Sequence, residues 1–514
     1  MAKTIMFQGT SSHVGKSILT TALCRILLQD GYSVTPFKAQ NMALNSYVTK
    51  AGDEIGRAQV AQAEAAGMDP IVQMNPVLLK PSGNQTSQVV LMGKPVGVYS
   101  AREYHEHYSL TAWDKVKESV DYLRNHFDVV VIEGAGSPAE VNLKATDIVN
   151  MRVALELNAP VVLVADIDRG GALAAVVGTL ELLSSEERAH VKGIVINKFR
   201  GDIKLLEPAI DFLEEKTKIP VLGVVPYLQD LGIDNEDSVS LADKKLSAQA
   251  KELEIAVLQT PKISNFTDFD VFSHEPDVEV RYVRRGDSIG HPDVIILPGS
   301  KNTTEDLLYL QQFGYVDEIR RLAKEGTPVI GICGGYQMLG EEITDPQHVE
   351  SKYDRIDGIG LLPLSTEMAG TKTTNQVKFS CRDFSFLDLH ANWDDLAGYE
   401  IHMGKSVFTH HDTAAFHITE RSLHEVDIQD GLVTADGNCF GTYIHGIFDN
   451  DELRRGILNA LRKKKGLASL PVQFRLQEYK ESEYDRLAAT VREALNMDLV
   501  YELLEFAPTK NVIK

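Results

Sequence analysis

The stretch KTIMFQGTSSHVGKS, Lys3 to Ser17, joins an apolar run to a loop of glycines and hydroxyls, and then to the helical pattern SILTTALCRILLQDG. In a loop set between a strand and a helix, glycines let backbone N–H groups turn inward, and the helix N-terminus adds partial positive charge. The spacing therefore predicts a phosphate cradle formed by Gly9, Thr10, Ser11, Gly15, Lys16 and Ser17. Lys16 would neutralise the β/γ-phosphates of ATP, and the Ser17 hydroxyl would ligate Mg²⁺. Five residues separate Gly9 from Gly15, one more than in the usual loop.

A strand, a phosphate loop and a helix require a sheet around them. The runs YSVTPFK, DVVVIEGAG, PVVLVADI, VKGIVINKF and IPVLGVVPYL supply it. They are apolar throughout rather than alternating, so they read as strands covered on both faces, hence a parallel α/β sheet. After Tyr227 the pattern lapses into DNEDSVSLADKKLSAQAKE. A second α/β series then begins with LEIAVLQTP, VEVRYV and PDVIILPGS, a long helix around EDLLYLQQFGYVDEIRRLAKEG, and PVIGIC. Shorter strands are expected from about residue 376, and a charged, partly helical tail after that. The expected division is a first α/β domain at 1–232, a linker at 233–250, a second α/β domain at 251–460 and a C-terminal extension at 461–514.

A chain of 514 residues is too long for one core. With 52 Lys plus Arg against 73 Asp plus Glu, the net charge is −21. Such a surface repels a phosphate backbone, which argues against nucleic acid as a partner. The four cysteines, Cys24, Cys333, Cys381 and Cys439, form no Cys-x-x-Cys pair, which fits a reducing cytoplasm. No apolar run is long enough to span a membrane.

The magnesium ion needs carboxylates. Glu133 ends the strand VVVIE and is placed as a metal ligand. Asp53, just ahead of a helix, is either a second ligand or that helix's N-cap. Asn197, with Lys198 beside it at a strand end, is a candidate for contact with the ATP base. In the second series, Gly331-Ile332-Cys333-Gly334-Gly335 has the form of a nucleophile elbow, with a strand arriving and a helix leaving. Backbone N–H groups near Gly334, at the helix start, can hold an oxyanion. Gly299, in LPGSKNT, offers a second oxyanion donor. His445, in GTYIHGIF, is the base such a thiol needs. His402, in GYEIHMG, fits a pocket role or a structural one equally well.

The segments GICGGYQMLG and GTYIHGIF resemble class I glutamine amidotransferases, and the N-terminal half with its longer phosphate loop resembles the dethiobiotin synthetase group. Their union is similar to the corrinoid amidases of cobalamin biosynthesis, as are FKAQNMALNSYVT, DEIGRAQVAQAEAAG, DIDRGGALA, INKFRGD, ISNFTDFD and GYEIHMG. The resemblance implies that the first domain uses ATP and Mg²⁺ to activate carboxylates. The second would take ammonia from glutamine through Cys333 and His445. The acceptor it implies is adenosylcobyrinic acid a,c-diamide, amidated at its b, d, e and g carboxylates. Lys38, Gln40, Asn41, Asn45 and Arg169, which follow strand ends, are candidates for binding this anion. General amidotransferases carry a glutamate two residues after the histidine. Here that place is Ile447, and the third member of the site is unassigned. Two other readings are the sister enzyme that amidates the a and c side chains and a non-catalytic P-loop switch protein.

Overall fold

The computed structural model describes residues 1–83, 85–228, 231–233, 251–408 and 414–506. The expected linker at 233–250 thus lies, apart from Ile233, outside the described residues. The chain forms two compact units. The first takes Met1–Met42, Ile55–Asp234 and the chain from Glu478 onward. The second takes Ala43–Glu54 and Asn235–Gln477.

The first unit is built on six parallel strands in the order Val221–Pro226, Val191–Phe199, Val161–Asp166, Lys3–Gly9, Val129–Glu133 and Val34–Phe37. Alternate residues of each strand enter opposite cores. Met6, Val130, Ile132 and Leu163 belong to one, while Ile5, Phe7, Val131 and Val164 belong to the other. Both faces are therefore apolar, which is why the sequence runs do not alternate. Phe7 pairs with Glu133, and Asp166 with Asn197, so these groups share the carboxyl edge of the sheet with the loop after Gly9.

The expected C-terminal extension is divided: 461–477 belong to the second unit, and the chain from Glu478 onward to this first one. The helices Leu476–Ala494 and Met497–Leu503 bring Tyr484, Leu487, Val491, Val500 and Tyr501 into the core that holds Leu19, Leu23 and Ile26 of the helix Lys16–Gln29. Each fully buried apolar side chain of that size contributes about 1.5–3 kcal/mol. Arg25 also reaches Glu481 at 2.7 Å and Asp485 at 2.8 Å.

The second unit has six strands in the order Val278–Val283, Leu253–Leu258, Val294–Leu297, Val329–Ile332, Cys439–Thr442 and Leu432–Val433. All pair in parallel except the last. The region expected to hold short strands instead carries two long antiparallel ones, Leu364–Phe386 and Leu389–Phe408. Register shifts after Glu367, Phe379 and Cys381 interrupt the alternation and disguise their length in the sequence. The single long helix expected near Asp306 is two, Thr303–Gln312 and Tyr315–Lys324. They are separated at Gly314, whose φ of 78° no continuing helix allows. The segment Ala43–Glu54 is held within this unit by Gln376 Nε2 donating to the Val48 carbonyl at 2.8 Å and by a buried Lys372–Glu54 ion pair. No helix among the described residues is long and apolar enough to cross a membrane.

Candidate active site

The phosphate loop is shaped by what cannot fit in it. A Cβ on Gly9 would lie 2.7 Å from the Ser11 carbonyl oxygen and from Val14 Cγ2, and one on Gly15 would lie 2.1 Å from Asn197 Nδ2. Gly15 also has φ 100°, a conformation that favours glycine. It precedes the helix Lys16–Gln29 without a side-chain cap, which leaves the first helical N–H groups directed at the loop. Lys16 Nζ donates to the carbonyls of Gly136 at 3.1 Å and Ser11 at 3.3 Å, so its ammonium is held over the cradle. Thr10 N–H donates to the Val164 carbonyl, which anchors the loop's entry.

Glu133, 1% exposed, collects three donors. Ser17 Oγ donates to its Oε1 at 2.8 Å, Lys38 Nζ reaches the same oxygen at 2.9 Å, and Gln62 Nε2 donates to Oε2 at 2.6 Å. Ser17 and Glu133 are thus adjacent oxygen donors of the hard type that Mg²⁺ takes, beside a cradle of backbone N–H groups. The residues present fit a magnesium-bound nucleotide. Asp53 lies in the segment belonging to the second unit, where its N–H donates to Thr49 Oγ1 at 3.1 Å. The following helix, Arg57–Ala65, is preceded by Gly56, so Asp53 is not its N-cap. Among the described residues no three His, Cys, Asp or Glu side chains gather as a metal group.

Asn197 Nδ2 donates to the Val14 carbonyl at 2.8 Å, bracing the loop from the neighbouring strand. Lys198 does the same to the His13 carbonyl at 2.5 Å while pairing with Asp166 at 2.9 Å. Of the anion-binding candidates, Lys38 is spent on Glu133, Gln40 Oε1 accepts from Tyr104 at 2.5 Å, and Asn41 Nδ2 donates to Gln59 Oε1 at 3.0 Å. Asn45 is buried in the second unit's segment, and Arg169 is exposed in the turn before the helix Ala172–Leu182.

In the second unit the strand Val329–Ile332 ends at Cys333, whose φ of 53° and ψ of −107° mark it as strained, and the helix Gly334–Leu339 leaves. A Cβ on Gly335 would sit 2.0 Å from the Leu297 carbonyl oxygen, so the tight turn requires glycine there. Cys333 is 6% exposed. Its N–H donates to the Thr442 carbonyl at 2.8 Å, and its thiol points to the Ile401 carbonyl at 3.6 Å.

His445, 1% exposed, has Nδ1 2.6 Å from Asp268 Oδ2, and the Gly446 N–H donates to Asp268 Oδ1 at 3.0 Å. The carboxylate thus fixes the ring, which also stacks on Tyr399. With Nδ1 engaged, Nε2 is the nitrogen left to exchange a proton with sulfur. Burial by itself pulls the imidazole pKa down. The Asp268 carboxylate and the Cys333 thiolate outweigh it and raise the value to about 10.

Gly299 and Gly334 line this centre. A Cβ on Gly299 would be 3.1 Å from His445 Cε1, and one on Gly334 would be 2.8 Å from the Ser300 nitrogen. Ser300 Oγ donates to Asp306 at 2.6 Å and fixes that loop. His402 stacks on Tyr443 at 3.8 Å, with neither ring nitrogen hydrogen-bonded. Cys24 is buried in the first unit's core, and burial pushes its thiol pKa up.

Asp268 escaped the sequence reading. It lies in ISNFTDFD, 177 residues before the histidine it holds, and no local spacing marks it as a partner. The same is true of Gln62 and of Asn150, whose side-chain amide pairs with both backbone groups of Ala135 behind Glu133.

Residues 254–453 match the family of CobB/CobQ-like glutamine amidotransferase domains, and residues 5–239 match the CobQ/CobB/MinD/ParA nucleotide-binding domain. The cobyric acid synthase of Pelotomaculum thermopropionicum is 54% identical over 509 residues, covering 98% of this chain and 97% of that protein. That of Moorella thermoacetica is 53% identical over 498 residues, with 97% and 96% covered. That of Carboxydothermus hydrogenoformans is 52% identical over 507 residues, with 98% and 100% covered.

Proposed function

We propose a two-site amidation as the reaction of this chain, which belongs to the cobyric acid synthase family. It is a glutamine-dependent ligase of cobalamin biosynthesis with a nucleotide-binding domain and an amidotransferase domain. The acceptor is adenosylcobyrinic acid a,c-diamide, and conversion of its b, d, e and g carboxylates to amides gives adenosylcobyric acid. The observation that carries this reading is the presence of two complete and chemically complementary centres in one chain. One is the Lys16–Ser17–Glu133 cradle, and the other is Cys333–His445–Asp268.

At the second centre the Cys333 thiolate attacks the side-chain amide carbon of glutamine. The developing oxyanion is held by the peptides of Gly299 and Gly334. The His445 imidazolium gives its Nε2 proton to the leaving nitrogen, and ammonia departs as the thioester forms. His445, now neutral, takes a proton from water. The hydroxide so produced breaks the thioester, releasing glutamate and returning the thiolate–imidazolium pair. Asp268 keeps the ring in one orientation through both transfers.

At the first centre an acceptor carboxylate displaces ADP from the γ-phosphorus of ATP, forming an acyl phosphate. Ammonia then attacks the acyl carbon and phosphate leaves, so the poor oxide leaving group of a carboxylate is replaced by a good one. Lys16 and the loop N–H groups of Gly9 to Ser17 hold the transferring phosphate, and Asn197 braces the loop next to the nucleotide base. Ser17 and Glu133 are the residues that would hold Mg²⁺, which when bound neutralises phosphate charge. Gln40, Asn41 and Arg169, all in the first unit, are the candidates for contact with the corrinoid, while Lys38 is held by Glu133. The buried cysteines, which form no disulfide among the described residues, suit a reducing cytoplasm.

Mass spectrometry of adenosylcobyrinic acid a,c-diamide incubated with the protein, ATP, Mg²⁺ and glutamine tests the assignment. Four successive acid-to-amide steps are expected. No step on this corrinoid would refute the acceptor, and amidation of the a and c positions of the unamidated acid would assign the sister reaction.

A further inference from the structure

The carboxylate of Glu133 is fully buried, and its two oxygens are used differently. Oε1 is shared by Ser17 Oγ and Lys38 Nζ, on the side of the phosphate loop. Oε2 has a single short partner, Gln62 Nε2 at 2.6 Å, from the helix Arg57–Ala65. Gln62 is itself fully buried, and its Oε1 has no hydrogen-bond partner. The amide cannot rotate to improve this, because a flip would set its carbonyl oxygen against the carboxylate. A buried carbonyl without a donor costs about 1–3 kcal/mol. The neighbouring Gln59, one turn earlier on the same helix, is likewise buried with Nε2 unpartnered while its Oε1 accepts from Asn41.

An arrangement that keeps a buried amide half-satisfied does not serve stability. It fixes a carboxylate instead. We infer that Gln62 is the positioning residue of the cation site: by occupying Oε2 it turns Oε1 of Glu133 toward Ser17 and makes the carboxylate a one-oxygen ligand of defined direction. Partners that orient a metal ligand in this way commonly change metal affinity 10–100-fold when they are removed. The inference rests on the reading of Ser17 and Glu133 as magnesium ligands. The sequence around Gln62 shows only an i, i+3 pair of glutamines in GRAQVAQAEA.

The test is a Mn²⁺ titration of the full-length protein saturated with a non-hydrolysable ATP analogue, with bound metal read by electron paramagnetic resonance. Parent, Gln62→Met and Gln62→Asn are compared, each with its thermal unfolding midpoint. Methionine keeps the volume without the donor. Asparagine keeps the donor but withdraws it by one methylene. The expected result is Mn²⁺ affinity about 10–100-fold weaker in both variants, with nucleotide still bound and midpoints close to the parent's. Affinity within twofold of the parent in either variant would overturn the inference. So would loss of folding in both, which would make Gln62 a structural residue. Failure of the parent itself to bind Mn²⁺ with nucleotide would refute the cation site, and Gln62's role with it.

Discussion

The two centres hold their reactive groups in opposite ways. The phosphate cradle is a continuous loop whose binding atoms are mostly backbone, completed by Glu133 at 2.8 Å from Ser17. The thiol centre depends on three buried side chains from distant parts of the chain, Asp268, Cys333 and His445. A phosphate needs many weak donors pointing one way, which a glycine-rich turn before a helix supplies cheaply. Proton shuttling needs one ring with one orientation, which only long-range packing can fix. A single substitution should therefore injure the thiol centre more than the cradle.

Replacing Asp268 by Asn sharpens that contrast most. The amide leaves the geometry but removes the charge that holds the imidazolium, and glutamine-driven amidation should fall by about 10³–10⁴-fold while amidation from added ammonia persists. The same variant carries a pH signature. His445 is raised from 6.5 to about 10 in the folded protein, because the Asp268 carboxylate and the Cys333 thiolate outweigh the effect of burial. The stability it contributes is fully present below pH 6.5 and is lost as pH rises through about 10. Urea midpoints of parent and Asp268→Asn should therefore differ most below pH 6.5 and converge toward pH 10.

Lys16→Met comes next. Losing the loop's full charge should lower amidation by about 10²–10³-fold whether glutamine or ammonia is the donor, since the acyl phosphate is made there in either case. Equal activity of parent and variant in an ATP-dependent amidation assay would break the comparison. Gly299→Ala should be milder. The added methyl sits 3.1 Å from His445 Cε1, so glutaminase kcat should drop by about tenfold with little change in ATP binding. The smallest effect belongs to Arg25→Ala, which removes the contacts to Glu481 and Asp485. These carboxylates are partly exposed, so a loss of about 0.2–1 kcal/mol in chemical denaturation is expected, with both activities unchanged.

What could be read from the sequence follows the same division. The parallel strands announced themselves because both faces are buried, and the loop from Gly9 to Ser17 because all its parts are contiguous. Cys333 was visible through its glycines, which the strained turn demands at Gly331 and Gly335. Asp268 was not, because its role exists only once the chain has brought it to His445. Lys38 looked like a free cation for an anionic ligand, and its buried pairing with Glu133 depends on adjacent strands of the sheet. The C-terminal helices read as a charged appendage. Their apolar face became meaningful only against Leu19, Leu23 and Ile26, more than four hundred residues earlier. Gly314 could have been taken as a break in the long helix, since glycine there precedes a second amphipathic run.

The division of labour between the centres is tested most directly with Cys333→Ala, supplied in parallel with glutamine or with ammonia and followed by mass spectrometry of the corrinoid. The account predicts that glutamine-driven amidation falls by at least about 10⁴-fold, while ammonia restores amide formation at a rate comparable to the parent's. Amide formation by the variant from glutamine would show that Cys333 is not the nucleophile, and failure with ammonia would show that the two centres do not divide the reaction as proposed.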